Sequence, residues 1–137
     1  MAFLLDTNVV SELRKASPHP NVLAWQLRES KADAYISTLV IGEVRQGIER
    51  LRSRDPRKAE ALDGWLAGLV LAYGDRVLPV TIEVAGRWGK LNVPPDQPPV
   101  IDGLMAATAI VHRLTLVTRN VADVARTGVA FINPFDA

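Results

Sequence analysis

Four acidic side chains stand at breaks between apolar segments of this chain: Asp6, Glu43, Asp102 and Asp123. Asp6 follows the apolar run 2–5, and Asp102 precedes a long uncharged, alanine-rich stretch. Two carboxylates about 5 Å apart repel each other by roughly 3 kcal/mol at an effective dielectric of about 20. A fold that gathers several carboxylates is stabilised by a hard cation, so the pattern predicts a site for Mg²⁺ or Mn²⁺.

Each of these acids also has a purely structural interpretation. Asp6 can cap the helix that follows it, and Asp102 is favoured at a helix N-terminus by the helix dipole. Glu43 lies one position away from the apolar stripe of its helix, where a solvated glutamate is common. Asn120 and Asp123 have the spacing of a capping-box variant. The metal-site hypothesis therefore depends on the acids meeting in space.

Further polar residues bear on the same hypothesis. Thr118 and Asn120 could orient the carboxylates as hydrogen-bond donors. The basic stretch 45–58 is typical of a solvated helix face, and contact with a phosphate backbone is the alternative. Arg14 and Lys15, at the end of the first predicted helix, could flank the same crevice and meet phosphate.

Alternating strands and helices are predicted to position these side chains. The predicted strands are 2–5, 34–36, 77–80, 114–117 and 129–132. The predicted helices are 7–15, 21–28, 38 to about 52, 56 to about 73, 82–91, 102–113 and 121–126. The proline-rich segment 93–99 is predicted to be an ordered loop. This alternation is typical of an α/β fold with a parallel sheet covered by helices on both sides.

In such folds, ligands bind beyond the carboxyl ends of the strands, where the strand order reverses. Asp6 follows the first predicted strand, and Thr118 follows the fourth. Glu43 and Asp102 lie near the first turns of helices that start on the same side. We therefore expect residues from four distant parts of the chain to converge on one crevice.

The composition is that of an ordinary globular protein. The chain has 137 residues, 48% of them hydrophobic and 23% charged, which predicts one domain, 1–137, with a substantial core. It has no cysteine and only two histidines, so disulfides, thiolate metal sites and zinc sites are not expected. Its apolar runs are shorter than the ~20 residues of a bilayer span, and we predict a cytosolic protein that does not bind membranes.

Four segments together resemble the PIN-domain endoribonucleases, and more closely the VapC/FitB type found as toxins of bacterial toxin–antitoxin pairs. The segments are FLLDTNVVSEL at 3–13, STLVIGE at 37–43, DGLMAATA at 102–109 and VTRNVAD at 117–123. Each segment alone is a weak signal. Their occurrence in this order within one short chain is specific, and the resemblance covers nearly the whole sequence.

The resemblance implies a three-layer α/β/α sandwich with a five-stranded, mostly parallel sheet, and an endoribonuclease that depends on Mg²⁺ or Mn²⁺. It implies a catalytic hydroxyl at Thr118 and further polar positions at Asn8 and Asn120. The acids that it implies as catalytic and metal-binding are Asp6, Glu43, Asp102 and Asp123. Family members commonly have an aromatic residue after the last acid, whereas this chain has Val124.

The resemblance also implies the partners of the protein. These are an RNA substrate, a cognate antitoxin protein and a second copy of the chain in a homodimer, which would form a hetero-oligomer with the antitoxin. DNA would be contacted only indirectly, through the antitoxin. We expect the antitoxin segment to lie in an apolar groove lined by the early helices, to which Trp25 could contribute.

The resulting hypothesis makes Asp6 and Asp102 the main ligands of a divalent ion, while Glu43 and Asp123 help to deprotonate an attacking water. One alternative is a non-catalytic PIN-like module that binds only RNA or protein. A less favoured alternative is an aspartate-based phosphatase or receiver domain. Such a phosphatase usually has a second aspartate at the position where this chain has Asn8. A receiver domain has a lysine near its last strand, whereas this chain has no lysine after Lys90.

Overall fold

The computed structural model of the protein describes residues 1–95 and 97–136, so Asp96 of the predicted loop and the terminal Ala137 of the predicted domain lie outside the described residues. The strands are β1 Phe3–Leu5, β2 Ala34–Ser37, β3 Val77–Leu78, β4 Thr115–Val117 and β5 Phe131–Ile132. The helices are α1 Thr7–Arg14, α2 Pro20–Arg28, α3 Thr38–Arg52, α4 Pro56–Tyr73, α5 Ile82–Leu91, α6 Val100–His112 and α7 Val121–Val124.

The strands form one five-stranded sheet in the order β3-β2-β1-β4-β5, and every pairing is parallel. Phe3 of β1 lies opposite Ala34 of β2 on one side and Thr115 of β4 on the other. The chain moves outward from β1 to β3 and then returns to the other side of β1 with β4. The strand order therefore reverses between β1 and β4, where a ligand crevice is expected.

Helices cover the sheet on both sides, which confirms the predicted α/β/α fold. Phe3, Leu4 and Leu5 of the central strand are all at most 3% exposed, so neither face of β1 reaches solvent. A strand buried on both faces has a continuous apolar sequence, and this apolar run ends at Asp6, between β1 and α1. The helices pack in pairs, with α1 against α2, α3 against α4 and α5 against α6.

Helix α6 begins two residues earlier than the sequence predicted. Pro99 occupies the N-cap position and Val100 is the first helical residue, so Asp102 is the third residue of the helix and does not open it. Proline tolerates this position because the first N–H groups of a helix have no partner within the helix. The helix ends at Arg113, which adopts a left-handed conformation with φ 57°.

The helical periodicity of the sequence predicts that Leu27 and Val70 face the core, and both predictions are wrong. Leu27 is 77% exposed and Val70 is 42% exposed, although both extend the apolar stripes of their helices. Each helix buries only a narrow face, so the edge of its stripe remains in solvent. Among the described residues, no helix combines the length and the apolarity that a membrane span requires.

Candidate active site

Asp6 lies where β1 ends and α1 begins, at the carboxyl edge of the sheet. Its backbone N–H donates to the carbonyl of Val117 at 2.9 Å, which extends the β1–β4 pairing by one residue. Its Oδ1 accepts the N–H of Thr7 at 2.7 Å and so caps α1. The residue is 5% exposed. The capping role therefore uses one carboxylate oxygen, and Oδ2 is left to face side chains from the other side of the crevice.

Thr118, directly after β4, lies against that second oxygen. Its hydroxyl donates to Asp6 Oδ2 at 2.7 Å and accepts the N–H of Asn120 at 2.9 Å. The side-chain amide of Asn8 donates to Asp6 Oδ2 at 3.3 Å and approaches the hydroxyl of Thr118 at 3.4 Å. Thr118 has no solvent exposure. The donors Thr118 and Asn8 therefore fix the orientation of the Asp6 carboxylate.

Glu43 reaches the same edge from α3. Ser37, which ends β2, caps α3 by accepting the N–H of Leu39 at 3.0 Å, and Glu43 follows in the second turn. Its Oε1 accepts the hydroxyl of Thr7 at 2.5 Å. Because Thr7 is the neighbour of Asp6, this bond fixes the glutamate beside the first acid.

Asp102 approaches from the first turn of α6. Its pKa is raised to about 6, first by burial of the carboxyl group and then by the negative charges of the other three acids, of which Asp6 contributes most. The side chain of Asn120 opposes this rise in part. The other three predicted acids thus all lie close enough to act electrostatically on Asp102.

Asp123 is the most peripheral of the four. It lies exposed on the short helix α7, and its charge contributes to the raised pKa of Asp102. The capping box predicted for this segment does not form, because Asn120 makes no side-chain cap hydrogen bond to α7. The Asn120 amide instead faces Asp102 across the crevice.

The chemistry of these residues fits a hard divalent ion, although they do not form a closed cage. Within residues 1–95 and 97–136, no three histidine, aspartate or glutamate side chains are grouped closely enough to hold a metal ion. Mg²⁺ is usually held by one or two carboxylates together with water and substrate phosphate oxygens, so a cage is not required. Burial raises the pKa of Asp102 first, and the negative charges of Asp6, Asp123 and Glu43 raise it further; these neighbouring charges favour a cation here.

Several basic residues that the sequence placed near the site are engaged elsewhere. Arg45 and Arg52 both form ion pairs with Glu49 and Asp63, and these pairs link α3 to α4. Lys15 pairs with Glu12 at 3.0 Å. These ion pairs engage three of the eight basic residues in the proposed phosphate-binding regions, and the prediction that Lys15 meets phosphate is not supported.

Sequence reasoning missed two contacts of the site. One is the hydrogen bond from Thr7 to Glu43. Its only signal in the sequence is that Thr7 belongs to three consecutive polar residues, 6–8, directly after a buried strand. The other is the stacking of Arg119 on Phe135, with the guanidinium carbon 3.7 Å from the ring centroid. No local pattern reveals the second contact, because the two residues belong to different segments.

With this geometry in place, comparison with known proteins identifies the family. The sequence profile of the PIN domain matches residues 3–128. The chain belongs to the PIN-domain family. The match includes all four acids of the crevice and Thr118, and it supports neither a phosphatase nor a receiver fold.

Two curated PIN-domain relatives span almost the full chain. A protein of Sinorhizobium fredii named VapC ribonuclease Y4jK is 31% identical, covering 97% of this chain and 97% of its own length. A protein of Neisseria gonorrhoeae named Toxin FitB is also 31% identical, covering 96% of this chain and 97% of its own length.

Solved structures extend the similarity to the whole fold. The crystal structure of FitAcB from Neisseria gonorrhoeae superimposes with a TM-score of 0.90 at 30% identity, covering 98% of this chain and 99% of that chain. A structure of FitAB bound to the IR36 DNA fragment gives a TM-score of 0.88 at 29% identity, covering 98% of this chain and 96% of that chain.

Proposed function

We propose that the protein is a metal-dependent endoribonuclease of the VapC/FitB type, that it acts as the toxin of a type II toxin–antitoxin pair, and that residues 1–137 form a single nuclease domain. The observation that carries this proposal is that Thr7 bonds both Asp6 and Glu43 at one edge of the sheet, where the charges of these two acids and of Asp123 also act on Asp102. The VapC ribonuclease and the FitB toxin to which the chain is similar support the choice of RNA as substrate.

Asp6 and Asp102 are the proposed main ligands of the ion, which is Mg²⁺ or Mn²⁺ because the site offers only hard oxygen donors. When bound, such an ion supplies Lewis acidity at a phosphodiester oxygen and lowers the pKa of a coordinated water. The Thr118 hydroxyl orients the Asp6 carboxylate by donating a hydrogen bond to it. Asp102 lies in the first turn of α6, a helix with six buried residues that fixes its position.

The remaining acids, Glu43 and Asp123, have supporting roles in this proposal. Glu43, fixed through Thr7, is the proposed acceptor of the proton released by the attacking water. Asp123 completes the acidic ring from its exposed position and is the acid whose removal should cost least. In this arrangement the protein itself contributes orientation and negative charge, so cleavage requires an added divalent cation.

The experiment that tests this function is an RNA-cleavage assay with and without Mn²⁺ at matched ionic strength, with Asp6→Ala as the inactive control. We expect cuts only in the presence of Mn²⁺ and only with the wild-type chain. A chain that binds RNA without cutting it under any divalent cation would instead be the non-catalytic module considered above. Equal cleavage by Asp6→Ala would reject the assigned site.

We further propose that the antitoxin docks in an apolar groove between α1, α2 and α4. The cavity there has a volume of about 330 Å³, and its apolar lining includes Leu13, Trp25, Trp65 and Leu69. Complexes such as FitAcB, to which the chain is similar, support this type of partner.

Docking can be tested by co-purification with the product of the neighbouring small reading frame. Ala72→Arg places a bulky charge on the groove wall, whereas Ala67→Arg makes the same change at an exposed position of α4 outside the lining. We expect only the first substitution to abolish co-purification. Sedimentation of the purified complex would test the predicted homodimer and its hetero-oligomer with the antitoxin.

A further inference from the structure

We propose that Arg119 is a substrate-binding residue that holds an RNA phosphate adjacent to the scissile one, and that Phe135 is the platform that presents it. This inference rests on the proposed function, because it takes RNA as the substrate. It concerns a residue outside the acidic set and a C-terminal segment to which the sequence assigned no role.

The backbone of Arg119 is fixed to the acidic crevice. Arg119 directly follows Thr118, whose hydroxyl donates to Asp6, and its own N–H donates to Asn8 Oδ1 at 3.2 Å. Asn8 in turn donates to Asp6 from its amide nitrogen. The Cα of Arg119 therefore has a set position relative to the carboxylate that is proposed to hold the metal.

The side chain is fixed by stacking. The guanidinium carbon lies 3.7 Å from the centroid of the Phe135 ring, which is the geometry of a cation over an aromatic face. Phe135 is itself well anchored: it is 8% exposed, and its carbonyl accepts the side-chain amide of Asn21 at 2.7 Å. Its ring also meets the ring of His19 edge-on, with centroids 5.5 Å apart.

The hydrogen-bonding capacity of this guanidinium is unused within the part of the chain that the structure describes. The guanidinium groups of Arg45 and Arg52 donate to carboxylates. The guanidinium of Arg76 donates to backbone carbonyls, those of Lys31, Ala34 and Ala72. Arg119 is exposed and forms no such bond from its side chain. Glu12, the acid that feels its charge, is already bonded to Lys15 and to the N–H of His19.

Stacking and free donors together select a phosphate as the ligand. Contact with a ring occupies one face of the guanidinium and leaves the donors on its edge directed into solvent, where they match two phosphate oxygens. The only macromolecular anion that must cross this crevice under the proposed function is the RNA backbone. A cation one residue from Thr118 would meet a phosphate next to the one bound by the acids.

The test compares Arg119→Gln with Arg87→Gln, which removes the same charge from an exposed position on α5. Binding is measured in EDTA by fluorescence anisotropy with a labelled pool of random single-stranded RNA, over a range of salt concentrations. We expect Arg119→Gln to weaken binding about tenfold and to reduce the salt slope by about 0.7, the value for one phosphate contact on a single strand. Arg87→Gln should match the wild type.

Steady-state cleavage with Mn²⁺ provides the second measurement. Arg119→Gln should raise KM by a similar factor while kcat changes by less than about twofold, because the residue contacts a phosphate other than the one that is cleaved. Phe135→Leu should raise KM in the same direction, since it removes the platform but keeps the charge. Arg119→Lys, which keeps the charge but not the planar stack, should lie between Arg119→Gln and the wild type.

The possible outcomes separate this proposal from the proposed function. If the wild type cleaves RNA and Arg119→Gln keeps the KM and salt slope of Arg87→Gln, the phosphate assignment is overturned and the nuclease assignment stands. A fall in kcat with unchanged KM would also overturn it. If the wild type neither binds nor cuts RNA, both proposals fail. If Arg119→Gln does not fold, the Arg119→Lys variant replaces it in the test. An unchanged KM in Arg119→Lys would then overturn the phosphate assignment and leave the nuclease assignment standing.

Discussion

The hydroxyl of Thr118 lies 2.7 Å from the carboxylate of Asp6, although the two residues are 112 positions apart in the chain. The contact is possible because β1 and β4 are neighbours in the sheet and both end at its carboxyl edge. It joins the first and last parts of the site across the point where the strand order reverses. The position of Thr118 against Asp6 therefore depends on the pairing of the two central strands.

Thr118→Val should lower both stability and activity. The substitution keeps the shape of the side chain but leaves the N–H of Asn120 without its acceptor and leaves Asp6 Oδ2 with only the longer bond from Asn8. Loss of partners at a site with no solvent exposure should cost about 1–3 kcal/mol of unfolding free energy. Chemical denaturation measures this cost, and Thr118→Ser, which keeps the hydroxyl, is the control. A Val variant as stable and active as the Ser variant would show that the bond is unimportant.

Asp102→Asn should abolish cleavage without destabilising the metal-free protein. The amide removes a charge that is repelled by Asp6, Asp123 and Glu43. We expect a melting temperature in EDTA equal to or higher than that of the wild type, together with loss of Mn²⁺-dependent cleavage. Asp75→Asn, a change at an exposed acid outside the crevice, should leave both properties unaltered. Full activity in Asp102→Asn would refute the ligand assignment.

The raised pKa of Asp102 also predicts a pH dependence with a definite sign. Because this pKa is about 6 in the folded state and 3.8 in the reference state, the folded protein holds the proton more tightly. The group therefore stabilises the metal-free protein below about pH 4, and this contribution is lost as the pH rises to about 6. Since the carboxyl is partly exposed, solvent screening limits the effect to on the order of 1 kcal/mol.

Comparing the wild type with Asp102→Asn isolates this dependence from other titrating groups. The difference in unfolding free energy between the two chains should change between about pH 4 and pH 6 and stay constant above that range. Mn²⁺ affinity should rise over the same interval, because binding requires the ionised carboxylate. An affinity that is independent of pH across this interval would contradict the raised pKa.

Gly103→Ala should disturb the support of Asp102. A Cβ at position 103 would lie 2.4 Å from Asn92 Oδ1 and 3.1 Å from Trp88 Cδ1, where α5 packs on α6. We expect a destabilisation of about 1–3 kcal/mol from overpacking, with reduced cleavage because the adjacent Asp102 moves. Adding Asn92→Ala should recover part of the stability. If the double variant is no more stable than Gly103→Ala, the destabilisation does not come from a clash with Asn92.

The fold could be predicted from the sequence because its signals are local. Each buried strand is a short apolar run, and α5 has the predicted bounds Ile82–Leu91 because a capping Thr81 precedes its apolar periodicity. The start of α6 was wrong for a related reason. The prediction began the helix at Asp102, whereas Pro99 is the N-cap and Val100 is the first helical residue.

The candidate site was predictable in its members but not in its contacts. Asp6 and Asp102 could be named because acids next to buried strands and helices are unusual and suggest a purpose. The bond between Thr7 and Glu43 and the stack of Arg119 on Phe135 depend on the spacing between elements, which a single sequence does not encode locally. The ion pairs of Arg45 and Arg52 were missed similarly, because their partner Asp63 lies on the next helix.

The most direct measurement is an anomalous-scattering map from crystals of the wild-type protein soaked in Mn²⁺. We predict a peak about 2.1 Å from a carboxylate oxygen of Asp6 and from one of Asp102, with the remaining positions filled by water. A Mn²⁺ peak that contacts neither residue, in crystals of protein that cleaves RNA with the same ion, would contradict the assignment of these two acids as ligands of a shared cation.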